Sequence, residues 1–119
     1  DYTKLYMDEY EGGRLAADML MTSGCQNFIC FNNEEFSFAA SVTQMRYEGF
    51  CGWLQNKGAS CLLCKKIEEI PALLKNNSKC GVFAVSDSLA MNIINLASAS
   101  GLRAPEDFNL VGYDDMEWS

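Results

Sequence analysis

The chain has 119 residues, enough for one compact domain with a modest core but short for two. Its 49% hydrophobic and 21% charged content is that of an ordinary soluble globular domain, and no apolar run approaches the roughly 20 residues that cross a bilayer. Sixteen acidic residues against nine basic ones give a net charge of −7 with no basic cluster, which argues against direct binding to a phosphate backbone.

The first element expected is a helix from about Tyr10 to Thr22, with Leu15, Ala16, Met19 and Leu20 as its buried stripe and Gly24 ending it. The apolar run Asn27–Phe31 follows as a strand. A longer helix is expected from about Ala39 to Asn56, burying Met45, Phe50, Trp53 and Leu54 and stopping at Gly58. Ser60–Cys64 is the second apolar run. A short helix should start at Pro71, because proline is tolerated in a first turn. The third run is Gly81–Val85, and Ser86 is a good N-cap for a helix whose Leu89, Ala90, Ile93, Ile94, Leu96 and Ala97 make a broad apolar face. Gly101 closes that helix, and Asn109–Tyr113 is the last run.

Near-continuous apolar runs suit strands covered on both faces. Strand and helix alternate throughout, so the fold class is α/β: a parallel sheet with helices on both faces. Right-handed crossovers favour the strand order 2-1-3-4. Ligands of such sheets sit beyond the carboxyl ends of the strands, here Phe31–Asn33, Cys64–Lys65, Val85–Asp87 and Tyr113–Asp115. No internal repeat, low-complexity segment, linker or signal peptide is evident.

Six cysteines and no histidine raise the question of metal or disulfides. Cys61-Leu62-Leu63-Cys64 has metal-like spacing but no second pair at matching distance. In a strand, positions three apart point to opposite faces, so both sulfurs would not reach one ion. Free buried thiols acting as small apolar residues are the reading preferred, with no metal and no cofactor, in a reducing cytoplasm.

No enzyme motif stands out. Gly12-Gly13 lacks the lysine and spacing of a phosphate loop, and without histidine no nucleophile–histidine pair is available. The adjacent carboxylates Asp114 and Asp115 suit binding or capping better than catalysis.

Several segments together resemble one family. Asp8-Glu-Tyr-Glu-Gly-Gly-Arg-Leu-Ala-Ala17, Arg46-Tyr-Glu-Gly-Phe50, Val82-Phe-Ala-Val-Ser-Asp87 and Gly101-Leu-Arg-Ala-Pro-Glu-Asp-Phe-Asn-Leu-Val-Gly-Tyr-Asp-Asp115 are similar, in order, to signature segments of the lac repressor (LacI/GalR) family of transcription regulators. The resemblance implies that residues 1–119 are a single effector-binding lobe, the carboxy-terminal one of a periplasmic-binding-protein-like domain, without the DNA-binding headpiece and the other lobe. Two lobes would close on a small ligand, commonly a sugar or nucleobase, and change the operator affinity of a helix-turn-helix outside this chain. The implied ligand residues are Arg46 and Asp114, with Asp8 and Ser86 at further cleft positions. An arginine fork can grip two hydroxyls or a carboxylate at once, and an aspartate can accept two sugar hydroxyls.

Each assignment has a structural alternative. Arg46 would be a helix-surface residue paired with Glu48 or another carboxylate, and Asp114 a turn cap. Neither belongs to the expected core, so neither is expected to matter to folding. Asp87 is read as a helix cap, and Phe36 and Phe38 either stack on a sugar or pack a loop. Three departures from the family pattern leave the ligand open: Val42 where Ser or Thr is common, Ser86 for the usual Asn, and no aromatic in Cys64-Lys-Lys-Ile67. The rivals are a sugar-binding component of a transporter, which a signal peptide would support, and a small α/β enzyme, which would need a catalytic group. The family dimerises partly through the fourth helix and the segment after the Gly-Tyr-Asp-Asp signature. Met91 and Asn95 fall opposite that helix's buried stripe and Trp118 follows the signature, which implies a homodimer surface.

Overall fold

The computed structural model describes residues 9–33 and 38–113. Helix α1 (Glu9–Thr22) leads into strand β1 (Asn27–Phe31), helix α2 (Phe38–Asn56) and strand β2 (Cys61–Cys64). A 3-10 turn (Ile67–Glu69) runs into α3 (Ile70–Asn76), followed by β3 (Cys80–Ala84), α4 (Asp87–Ala99) and β4 (Asn109–Gly112). The strands form one sheet, parallel throughout as the alternation of elements predicts, in the order β2-β1-β3-β4 that right-handed crossovers favour.

The register assigns each strand residue to a face. Phe28 pairs with Cys61 and Gly81, and Cys30 pairs with Leu63 and Phe83. This face meets α1 and α2: a Cβ on Gly81 would lie 3.1 Å from Leu20, and the Phe83 ring is 5.0 Å from that of Phe50. The other face carries Ile29, Phe31, Val82 and Ala84, which are buried together with Leu74 of α3 and Ile93 of α4. Burial on both faces holds for β1 and β3, but β2 buries only Cys64, and β4 is half-buried at best. An edge strand has a neighbour on one side only, so its side chains are less covered.

The buried stripe of α1 differs from the one expected. Leu15 is 40% and Met19 56% exposed, whereas Gly12, Gly13, Ala16, Ala17 and Leu20 are buried. The cause is a close helix crossing. A Cβ on Gly13 would stand 1.9 Å from the Arg46 carbonyl oxygen, and one on Gly49 would stand 2.0 Å from that of Tyr10. Only small residues fit such an approach, so Leu15 and Met19 face outward, while Leu20, beyond the crossing, is buried against the sheet. On α2 the stripe is Thr43, Arg46, Phe50 and Leu54, at the spacing of one helix face, with Cys51 beside it. Met45 and Trp53 are only half-buried, at the margins.

Pro71 sits in the first turn of α3, one residue later than its start. Ser86 occupies the N-cap of α4 with extended backbone but makes no side-chain capping bond; its hydroxyl lies 3.4 Å from that of Ser88. Ile94, expected in the buried face of α4, is exposed, and Leu96 is half-buried. Leu89, Ala90, Ile93 and Ala97 suffice to cover the sheet, and Ile94 lies about 100° round the helix from Ile93. Helices α1, α2 and α4 run out into glycines of positive φ (Gly24 92°, Gly58 81°, Gly101 82°), as their places in the sequence require.

The crossing predicts opposite effects from one substitution at two helical glycines. Gly13→Ala should lose about 1–3 kcal/mol of stability in urea denaturation, because backbone would have to move. Gly52→Ala, which meets nothing within 4 Å, should gain about 0.5–1 kcal/mol.

Candidate functional site

Polar side chains gather at the carboxyl ends of the strands. Asn32 directly follows β1 and is buried; its side-chain amide lies 3.4 Å from the hydroxyl of Thr43, also buried, on α2. The backbone keeps its register past the strands: Asn32 N–H donates to Cys64 O at 3.1 Å, and Val85 N–H to Phe31 O at 3.3 Å. These bonds fix the loop carbonyls and side chains just beyond the sheet.

Arg46 lies in this crest and is only 4% exposed. Its Nε donates to Glu9 Oε1 at 2.6 Å, and its Nη1 donates to the Val85 carbonyl at 2.6 Å. The guanidinium carbon stands 3.6 Å from the centre of the Tyr113 ring, a cation–π contact. Four elements therefore meet on one side chain: the start of α1, the body of α2, and the residues after β3 and β4. Gly12 makes room for this arrangement, since a Cβ there would fall 2.2 Å from the Tyr113 ring.

Such burial of a guanidinium requires compensation, and the carboxylate, the carbonyl and the ring face supply it. Glu9 keeps 24% of its side chain exposed, so the pair sits at a boundary with solvent rather than in a dry core. The arrangement presents a fixed cation beside polar groups at the end of the sheet. That can hold hydroxyls or an anionic group in place, and it includes no nucleophile set against a base.

Among the residues singled out from sequence, Arg46 and Ser86 are brought close along the chain, because Ser86 directly follows the carbonyl that Arg46 grips. The surface pairing of Arg46 with Glu48 is not found. Glu48 is exposed and accepts a hydrogen bond from Gln44 Nε2 at 3.2 Å, while Arg46 pairs with Glu9. The expectation that Arg46 lies outside the core is also overturned, since it is buried where α1 packs on α2. Asp8, Asp114, Asp115, Trp118 and Phe36, and the side chains of Phe38 and Asp87, lie outside the described residues.

Met91 is 54% exposed and Asn95 is exposed, on the solvent side of α4 where the helical period puts them. Ile94 adjoins them. With Ser98, Leu102, Arg103, Ala104 and Phe108 it lines a shallow hollow of about 260 Å³. Cys61 and Cys64 face opposite sides of the sheet, as the strand argument requires, and the described residues hold no group of three or more potential ligands arranged for a metal.

Sequence reasoning missed Glu9, Asn32, Thr43 and Tyr113. Thr43 is three residues before Arg46 and so shares its helix face; the polar position expected at Val42 is in effect filled one residue later. Tyr113 and Asn32 lay within the strand ends where a ligand was expected, but neither was given a role of its own. Nothing in the local pattern pointed to Glu9.

Comparison with known proteins places this arrangement. Residues 17–119 match the periplasmic binding protein-like domain. The chain belongs to that family. Its resemblance to the LacI type within the family holds as well. The sucrose operon repressor of Streptococcus mutans serotype c is 29% identical over 112 residues, covering 90% of this chain and 34% of the repressor. The transcriptional repressor PurR of Aliivibrio fischeri is 28% identical over 130 residues, covering 98% of this chain and 37% of PurR. A LacI family transcriptional regulator from Enterococcus faecium, solved with bound ribose, superposes with a TM-score of 0.76 at 27% identity, covering 92% of this chain and 43% of that one. The periplasmic binding protein-like chain thus spans about a third of the length of the curated relatives it matches.

In this chain the buried arginine is a structural member. Arg46→Ala should cost about 1–3 kcal/mol in thermal or urea unfolding, because it strips the Val85 carbonyl and Glu9 of their donor. Arg46→Met, which keeps the apolar stem, should cost less than Arg46→Ala.

Proposed function

We propose that this chain is the carboxy-terminal effector-sensing lobe of a LacI-type transcription regulator, and that a small polyhydroxylated metabolite of the sugar class binds at the crest around Arg46. The observation that carries this reading is the position of that guanidinium, held at the carboxyl ends of the strands by Glu9, Val85 and Tyr113. Arg46 and Asp114 are the principal ligand residues, with Asp8 and Ser86 as further ones. Bound ribose in the Enterococcus faecium relative supports the ligand class, and the names of the repressor relatives support a regulator rather than a transport component. The lobe has no catalytic role in this reading, acts in the cytoplasm, and requires no cofactor.

Coupling follows from the geometry. A ligand held against Arg46 by one lobe and gripped by the opposite lobe would favour the closed arrangement of the two. Ligand binding changes the population of an arrangement only by its differential affinity for it. DNA would be touched solely by the helix-turn-helix beyond this chain, since the lobe carries a net charge of −7. Two copies would pair along the exposed side of α4, at Met91 and Asn95, and through Trp118.

Isothermal calorimetry of the full-length protein with ribose and a panel of pentoses, hexoses and purine bases tests the ligand class. One of the sugars should bind and the purine bases should not, and Arg46→Lys or Asp114→Ala should weaken sugar binding by about 1–3 kcal/mol with the protein still folded. Binding to none of them, or equal affinity in the folded variants, would overturn the reading. For the dimer surface, Met91→Glu should raise the dissociation constant in sedimentation; an unchanged constant removes α4 from the interface.

A further inference from the structure

The crest sets its buried cation against an anion of its own. Glu9, the first residue of α1, brings a carboxylate oxygen to 2.6 Å from Arg46 Nε, and it keeps 24% of its side chain exposed where Arg46 keeps 5%. Two more contacts on the guanidinium, the Val85 carbonyl and the face of the Tyr113 ring, carry partial negative charge. The positive charge is thus matched within the protein, and the charged group nearer to solvent is the carboxylate.

The other cations among the described residues do not reverse this balance. Arg14 Nε is bound to Glu11 at 2.8 Å. Lys65 and Lys66 are exposed and follow β2, which stands two strand steps from β3, roughly 10 Å away. Lys57, Lys75, Lys79 and Arg103 come where helices end and strands begin, at the opposite end of the sheet.

We propose that Glu9 is a specificity residue of the crest, which admits an uncharged polyhydroxylated ligand and disfavours its phosphate ester or its acid form. This rests on the sugar-class reading of the site. A sugar hydroxyl both donates and accepts, so it can give its hydrogen to the Glu9 carboxylate while accepting one from a neighbouring donor. A phosphate or carboxylate ligand group is an acceptor with no hydrogen to offer, and it meets Glu9 as a like charge. The guanidinium does not offset that repulsion, because its own charge already faces Glu9. The net charge of −7 adds a weaker repulsion at longer range.

Calorimetry of the full-length protein compares neutral sugars with their own anionic derivatives: ribose with ribose 5-phosphate, and glucose with glucose 6-phosphate and gluconate. The sugar that binds should do so at least about tenfold more tightly than its phosphate, a gap that shrinks as salt screens the repulsion. Glu9→Gln keeps the side-chain length and an acceptor oxygen for Arg46 but removes the charge. It should narrow the gap by about tenfold, chiefly through tighter binding of the phosphate, and Glu9→Asp should preserve it. A merely structural role for Glu9 would lower both affinities together and leave their ratio unchanged, and that result overturns the proposal. So does a phosphate or acid that binds the wild-type protein as tightly as its parent sugar, a measurement that needs no variant to fold; the sugar-class reading then stands. Binding of neither the sugars nor their derivatives overturns that reading, and this proposal with it.

Discussion

An arginine with 4% of its surface exposed has to find its charge compensation inside the protein. Arg46 finds it in a carboxylate from the start of α1, a carbonyl from the turn after β3 and a ring from the residue after β4. Each of these partners is placed by a different element, so the position of the side chain depends on all of them together. Desolvating the charge is expensive, and only a set of groups already close to the right geometry offsets that cost. The sheet, the α1–α2 crossing and the last strand all bear on this one contact.

The crossing is what brings the first partner within reach. With Gly13 against the Arg46 carbonyl and Gly49 against that of Tyr10, the two helices approach at backbone distance, and Glu9 comes to lie beside the guanidinium. A side chain at either glycine would push α1 away from α2 and carry the carboxylate with it. Gly12 plays the matching part toward Tyr113. The Gly-Gly pair that opens α1, which has neither the lysine nor the spacing of a phosphate loop, is here a packing device that sets the arginine.

Much of this fold is legible in the sequence because the apolar runs are short, separated by helical segments and bounded by turn residues. The parallel sheet follows from the alternation of elements, and its strand order from the handedness of the crossovers. What escaped was decided by close packing rather than by hydrophobicity. Leu15 and Met19 are large and apolar, yet they face outward because glycine and alanine fill the crossing itself. Ile94 was read as core because a helical pattern cannot tell how wide a stripe the sheet needs. Arg46 was legible as a ligand residue only through resemblance, and its burial was not legible at all. The carboxylate that pairs with it comes from 37 positions away. No local pattern encodes such a meeting. Asp8, Asp114 and Trp118 lie outside the described residues, so their roles rest on the family pattern.

One side chain that both secures the fold and, in the reading proposed, meets the effector couples stability to binding. A ligand group placed near Arg46 competes with or reinforces contacts that already hold α1, α2 and the ends of β3 and β4 together. In that reading the site would be built on the packing of the sheet and helices rather than on a separate loop, which would limit how far it relaxes when a ligand leaves. The net charge of −7 fits that reading, because a surface that repels phosphate would not engage DNA directly. Any signal would have to pass as a change in the position of elements that meet at the crest. Those elements are α1 and α2 with the segments after β3 and β4, so displacement there is the physical form such a message would take.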